Sequence, residues 1–155
     1  MLKITYPGIQ ITAEVDPALL ETANGFLDHI PANATVQALK GGSPVCYGAD
    51  GFLKLADGAT DTPLGLLVND ATSAFYENMP GAASATLAVT WGNFGGITDR
   101  IDTSLTFKKG DKLYAGTGAK LGLLTNVAPG ADAHVIAIAN STASASQPLL
   151  ELLGK

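Results

Sequence analysis

Apolar and polar residues alternate over the first fifteen positions. Ile9, Ile11, Ala13 and Val15 fall at period two, with Gln10, Thr12 and Glu14 between them. That is the pattern of a strand with one buried face. At Asp16 the period changes. Asp16 can cap a helix and Pro17 suits its first position. Leu19, Leu20, Ala23, Phe26 and Leu27 then repeat at helical spacing. Residues 16–30 therefore predict one short helix, interrupted at Asn24-Gly25 and closed by Pro31.

Beyond residue 32 the chain becomes a series of short apolar runs. They are 35–39, 45–47, 52–55, 64–68, 86–91, 104–107, 112–115, 121–124, 134–139 and 149–153. Between them stand turn signals such as Gly41-Gly42, Asp50-Gly51, Asp57-Gly58, Gly95-Gly96, Gly110-Asp111 and Pro129-Gly130. Many short strands at this spacing predict an all-β chain, a Gly-rich sandwich or barrel with one short N-terminal helix.

The runs recur in the same order. Gly42–Gly48 resembles Gly110–Gly116, and Phe52–Leu55 resembles Lys120–Leu123. Leu64–Asn69 resembles Val135–Asn140, and Leu87–Gly92 resembles Leu149–Gly154. This predicts two similar units, 40–92 and 108–155, sharing one core within a β-domain over 36–155. Residues 1–35 lie outside the repeat and read as a strand–helix segment reaching a neighbouring subunit. The last run, Leu149-Leu150-Glu151-Leu152-Leu153, does not alternate and reads as a strand buried on both faces. Ile9, Ile11, Val15, Leu149, Leu150 and Leu152 are accordingly the expected interface residues.

Composition narrows the function. Charged residues are only 15% of the chain, against an average of about 25%, so the surface is unusually neutral. The net charge is −5, Arg100 is the one arginine, and only Lys108 and Lys109 are adjacent lysines. Nucleic-acid binding needs clustered positive charge to displace counterions from phosphates, so that class is set aside. No apolar stretch is long enough for a membrane span or a signal peptide, so synthesis in a cytoplasm is expected. Cys46, the one cysteine, cannot form an intrachain disulfide and sits in an apolar run, where it reads as a small buried hydrophobe.

The residue types that carry chemistry do not form a pattern. Asp28-His29 and Asp132-x-His134 are suggestive pairs, but no further His or Cys completes a metal's ligand set. Asp50, Asp57 and Asp61 cluster in one loop region, and Asp99 and Asp102 flank Arg100; loop aspartates of this kind cap turns. Gly116-Thr117-Gly118-Ala119-Lys120 lacks phosphate-loop spacing and reads as a hairpin turn. Ser141–Ser146 reads as a loop of small polar residues, with no nucleophile elbow. The expectation is a non-enzymatic protein with no catalytic residue, metal or cofactor.

Gly110-Asp111-Lys112-Leu113-Tyr114-Ala115-Gly116, a turn into Lys120-Leu121, the strand His134–Ala139 and the terminal Leu149–Leu153 resemble the C-terminal half of head decoration (cement) proteins of tailed bacteriophages. Pro63–Leu67 resembles the same strand type, so the likeness spans roughly residues 40–155. The resemblance implies a structural virion protein on the capsid exterior. It would bind the major capsid protein and stabilise contacts between capsid subunits, as a homo-oligomer with a trimer favoured over a dimer. Alternatives are another phage structural part, from tail or neck, or a carbohydrate-binding β-module. The latter would need Trp91, Phe75 or Tyr76 as an exposed aromatic platform, whereas Trp91 in an apolar run reads as core.

Overall fold

The structure is a computed structural model that describes residues 1–23, 28–31, 33–71 and 86–155, without the side chains of residues 20–23 and 28–31. The chain is all-β, as its pattern predicts. Two antiparallel sheets hold nearly all the strands: β1 (Leu2–Tyr6), β2 (Ile9–Glu14), β5 (Pro44–Tyr47), β6 (Leu53–Leu55), β7 (Gly65–Leu67), β8 (Thr86–Trp91), β9 (Gly95–Thr98), β10 (Lys112–Ala115), β11 (Leu124–Thr125), β12 (Ala137–Ala139) and β13 (Leu150–Gly154). A small hairpin joins β3 (Leu20–Ala23) to β4 (Asp28–Pro31), and α1 is one turn, Ala34–Gln37. The six-stranded sheet runs β1-β9-β13-β12-β10-β11, and the five-stranded sheet runs β2-β8-β7-β5-β6.

Those two orders are one topology used twice. Read β2 as β9, β8 as β13, β7 as β12, β5 as β10 and β6 as β11, and the sheets match, with β1 added outside β9. The hydrogen bonds match as well. Leu64 N–H donates to Val45 C=O at 2.7 Å, and Ile136 N–H donates to Leu113 C=O at 2.8 Å. Gly42 donates to Leu67 as Gly110 does to Ala139, and Ala71 to Leu39 as Ala143 does to Phe107. Pro44 faces Leu66 and Val45 faces Gly65, just as Lys112 faces Ile138 and Leu113 faces Ala137. Even the left-handed glycines coincide, Gly42 at φ 93° and Gly110 at φ 96°.

This register corrects the sequence alignment. Ile11 stands opposite Val89 and Ala13 opposite Leu87, while Gly96 stands opposite Leu152 and Thr98 opposite Leu150. Leu87 therefore corresponds to Leu150, one position later than the apolar runs alone pair them. A one-residue slip exchanges the two faces of a strand. Leu87, Val89, Leu150 and Leu152 are all buried, whereas Leu149 is exposed. Each unit also starts earlier than predicted, at β2 and at β9. Gly95-Gly96, expected as a turn, lies inside β9. There a side chain at Gly95 or Gly96 would crowd Thr5 or Leu2.

Other expectations are overturned by local structure. No single helix spans residues 16–30. Pro17–Leu19 forms a 3-10 turn, and Leu20–Ala23 pairs with Asp28–Pro31 as a hairpin, Leu20 opposite Pro31. Asn24-Gly25 lies outside the described residues. The helical turn comes later, where Asn33 Oδ1 accepts the Thr35 N–H at 2.7 Å and caps α1. Ser104–Phe107 is a turn ending in a single bridge, Phe107 to Ala143. Within the chain the N-terminal segment pairs β1 with β9 and β2 with β8.

Two clusters form the core. One joins Val15, Val36, Leu39, Val45, Leu53, Leu67, Leu87 and Val89 within the first unit. The other joins Phe94, Ile101, Phe107, Leu113, Leu124, Leu150 and Leu152 of the second unit to Cys46 and Leu66 of the first. Along β5 and β7 successive residues thus enter different cores, so the centre of the five-stranded sheet is buried on both faces. Among the described residues no helix is long and apolar enough to cross a membrane.

Candidate interaction surface

The charged side chains of the loops serve the loops themselves. Asp61, between β6 and β7, accepts from Lys54 Nζ at 2.9 and 3.0 Å and from the Asp57 N–H at 2.8 Å. The Lys54 ammonium holds the Asp61 carboxyl below the usual carboxylate range. Asp50 accepts the Phe52 N–H and Asp57 the Ala59 N–H, each closing a local turn. Asp102 is nearly buried. It accepts from Lys120 Nζ at 2.6 Å and from the Ser104 hydroxyl and N–H. Burial alone would raise its pKa, but these bonds outweigh it and hold the carboxyl low. Asp111 is held low chiefly by Asn126 Nδ2, then by the Lys108 N–H. Gly118–Lys120 is a 3-10 turn whose lysine reaches Asp102.

The expected idle residues can be placed. Cys46 on β5 is buried, and burial, with Asp61 close by, pushes its thiol up to about 11. His134 lies 3.5 Å through Nε2 from the Thr62 hydroxyl. His29 falls on β4, and its side chain lies outside the described residues, as do Phe75 and Tyr76. No group of three or more His, Cys, Asp or Glu among the described residues is arranged to hold a metal ion.

The expected interface residues separate. Val15, Leu150 and Leu152 are buried in the chain's own core and leave nothing for a partner. Ile9, 55% exposed, and Leu149 remain free, and Ile11 is half-buried. The terminal run does alternate, with Leu150 and Leu152 inward and Leu149, Glu151 and Leu153 outward. Its apparent two-sided burial came from counting Leu149 and Leu153 as core.

The exposed residues form two apolar cross-strand groups near one pair of connections, Ile9 with Trp91 on β2·β8 and Tyr6 with Leu153 on either side of Gly95. The β1–β2 and β8–β9 connections pack together there, with Gly8 set closely against Phe94 and the Trp91 carbonyl. Around this contact stand Tyr6, Ile9, Trp91 and Leu153, each at least 44% exposed. Trp91 is thus surface rather than core. It stands opposite Ile9 on the edge pair β2·β8. Tyr6 and Leu153 flank Gly95 on the neighbouring strands and border a groove of about 270 Å³ with Asn93, Phe94 and Gly154. No charged residue lines that groove. On the other side of Phe94, Trp91, His134 and Lys155 line a smaller pocket of about 110 Å³. The sequence held the signal: Tyr6-Pro7-Gly8-Ile9 and Trp91-Gly92-Asn93-Phe94 place large apolar residues beside turn formers.

No protein family model matches the chain, and no curated protein matches it.

Proposed function

We propose that the protein is a structural virion component that binds the outer surface of a mature phage head and stabilises contacts between major capsid subunits. The exposed apolar groups, Tyr6 with Leu153 and Ile9 with Trp91, carry this reading. Aromatic anchors in a patch of low charge are what a protein-binding surface needs, since burying unpaired charge is costly. Asp61, Asp102 and Asp111 are tied into turns, and no charged residue lines the groove beside Tyr6 and Leu153. The segments that resemble head decoration proteins, between Gly110 and Leu153, form the consecutive strands β10 to β13 of one unit. Many copies on a repeating lattice turn modest single contacts into firm attachment.

The test is co-sedimentation with expanded heads that lack the protein. The natural chain should pellet with the heads, and Tyr6→Ser with Trp91→Ser should remain in the supernatant while still folded. A natural chain that stays in solution refutes the reading. The exposure of Trp91 beside His134 favours a second reading, a glycan-binding β-module in which a sugar ring stacks on the indole. Quenching of Trp91 fluorescence by oligosaccharide without head binding would select it.

A further inference from the structure

The two units differ at one edge. In the second, the outer side of β9 is covered by β1. In the first, β2 occupies the position of β9, and its outer side pairs with no described residue. We propose that this edge is an interface in which β2 pairs antiparallel with β2 of a second copy of the chain across a twofold axis. The inference rests on the duplicated fold and not on the head-binding reading.

The backbone is set for such pairing. Val68 N–H donates to Ala88 C=O at 2.9 Å, so Ala88 turns its backbone toward β7. Alternate residues of an antiparallel strand face opposite neighbours, and Thr12 stands opposite Ala88. Gln10, Thr12 and Glu14 therefore direct their N–H and C=O groups to the open edge. The second unit shows the filled counterpart. Asn140 donates to Glu151 at 2.8 Å, Glu151 stands opposite Ile97, and Ile97 faces Lys3 of β1. Thr12 is the equivalent of Ile97.

The other edges are blunted. β1 carries Lys3 at its centre and a register shift between Ile4 and Tyr6. β6 has 3 residues and β11 has 2. β2 has 6, with no lysine, proline or bulge, and Glu14 at its end as the only charge. Short strands, lysines and bulges are how natural edges resist pairing, and β2 has none of these.

The duplication also names the covering strand and its register. Leu2-Lys3-Ile4-Thr5 of β1 matches Ile9-Gln10-Ile11-Thr12 of β2. Lys3 stands opposite Ile97, Leu2 opposite Thr98 and Ile4 opposite Gly96. With β2 of a second copy in the role of β1, Thr12 meets Gln10 of the partner subunit, Ala13 meets Ile9 of the partner subunit, and Ile11 meets Ile11 of the partner subunit. This register is unchanged when the copies are exchanged, which is the condition of a twofold interface. Any antiparallel pairing of a strand with its own copy meets that condition; the alignments of β2 with β9 and of β2 with β1 fix which register it is, and they agree in setting the outward-facing Thr12 on the outward-facing Gln10. Glu14 falls opposite Gly8 of the partner subunit, so no like charges meet. The exposed Ile9 gains a neighbour. The assembly is a dimer, in place of the trimer that the sequence resemblance favours.

The full chain at about 100 μM should show twice its 15.8 kDa mass by light scattering. Thr12→Pro removes an outward N–H but no bond to β8, so it should give a folded monomer, judged by near-ultraviolet circular dichroism. Ile11→Cys in a Cys46→Ala background should form a covalent dimer on mild oxidation, because residue 11 faces its own copy at the close, non-hydrogen-bonded spacing. Gln10→Cys in the same background should cross-link much less. The cross-linking test does not depend on Thr12→Pro folding. A monomeric or trimeric natural chain, or equal cross-linking at positions 10 and 11, would overturn the proposal.

Discussion

Gly42 and Gly110 occupy equivalent places in the two units, with the same left-handed backbone and the same bond to the strand beside them. Their surroundings differ. At Gly110 a Cβ would meet nothing within 4 Å. At Gly42 it would overlap Thr98 Oγ1 and lie 3.1 Å from both Arg100 Cγ and the Met1 carbonyl. Alanine in a left-handed conformation costs about 1–2 kcal/mol. A stiffer unfolded chain offsets roughly 0.4–1 kcal/mol of that. Gly110→Ala should therefore cost about 1 kcal/mol. Gly42→Ala adds the overpacking of a filled site, about 1–3 kcal/mol. It also disturbs Thr98 Oγ1, which donates to the Met1 carbonyl at 2.8 Å and accepts the Arg100 N–H, worth about 1 kcal/mol more. The expected cost of Gly42→Ala is then about 3–5 kcal/mol. Urea denaturation of both variants, with unchanged m-values, measures the difference. Equal losses would refute the placement of Thr98 over Gly42, and with it the packing of β9 against the start of β5.

Acid should unfold the protein through its turn carboxylates. Asp61, Asp102 and Asp111 have folded pKa values below the usual carboxylate range. Their stabilisation is therefore complete above the unfolded value of about 3.9 and is lost as pH falls through the lower folded values. Denaturant midpoints should hold between about pH 5 and 7 and fall below that, and Asp102→Asn should flatten the fall. Midpoints that rise on acidification would contradict the assignment. Cys46, buried with its thiol pushed up to about 11, should ignore a thiol reagent at about pH 8 and react fully in urea. Rapid labelling of the folded chain would show that β5 is not covered by the second unit.

How far the fold could be read depended on which forces set each element. The alternation of Ile9, Ile11, Ala13 and Val15 was legible because β2 buries one face, and burial imprints period two on the sequence. The repeat was legible in part: matching Gly42–Gly48 with Gly110–Gly116 sets the buried Val45 on the buried Leu113 as the strand pairing does, whereas the match of Leu64–Asn69 with Val135–Asn140 slips by one and sets Leu67 on Ile138 in place of Ala139. The hairpin of β3 and β4 was not, because Leu19, Leu20, Ala23, Phe26 and Leu27 satisfy a helical spacing while the pairing partners lie up to eleven residues apart, Leu20 with Pro31. Its strand ladder is a nonlocal choice that a local period does not record. β9 was hidden by Gly95-Gly96, whose glycines answer the close approach of Thr5 and Leu2 rather than a turn. Missing β9 also hid the equivalence of β2 and β9, and with it the register in which the expected inter-subunit strand would pair. The exposure of Trp91 was missed because it ends an apolar run, and the end of β8 lies beyond the core that buries Leu87 and Val89.

The most direct test of the proposed function is a reconstruction, by electron cryo-microscopy, of expanded phage heads saturated with the protein. Density for the chain should appear on the outer surface, with Tyr6, Trp91 and Leu153 turned against the major capsid protein. Heads that stay bare at saturating concentration would contradict it.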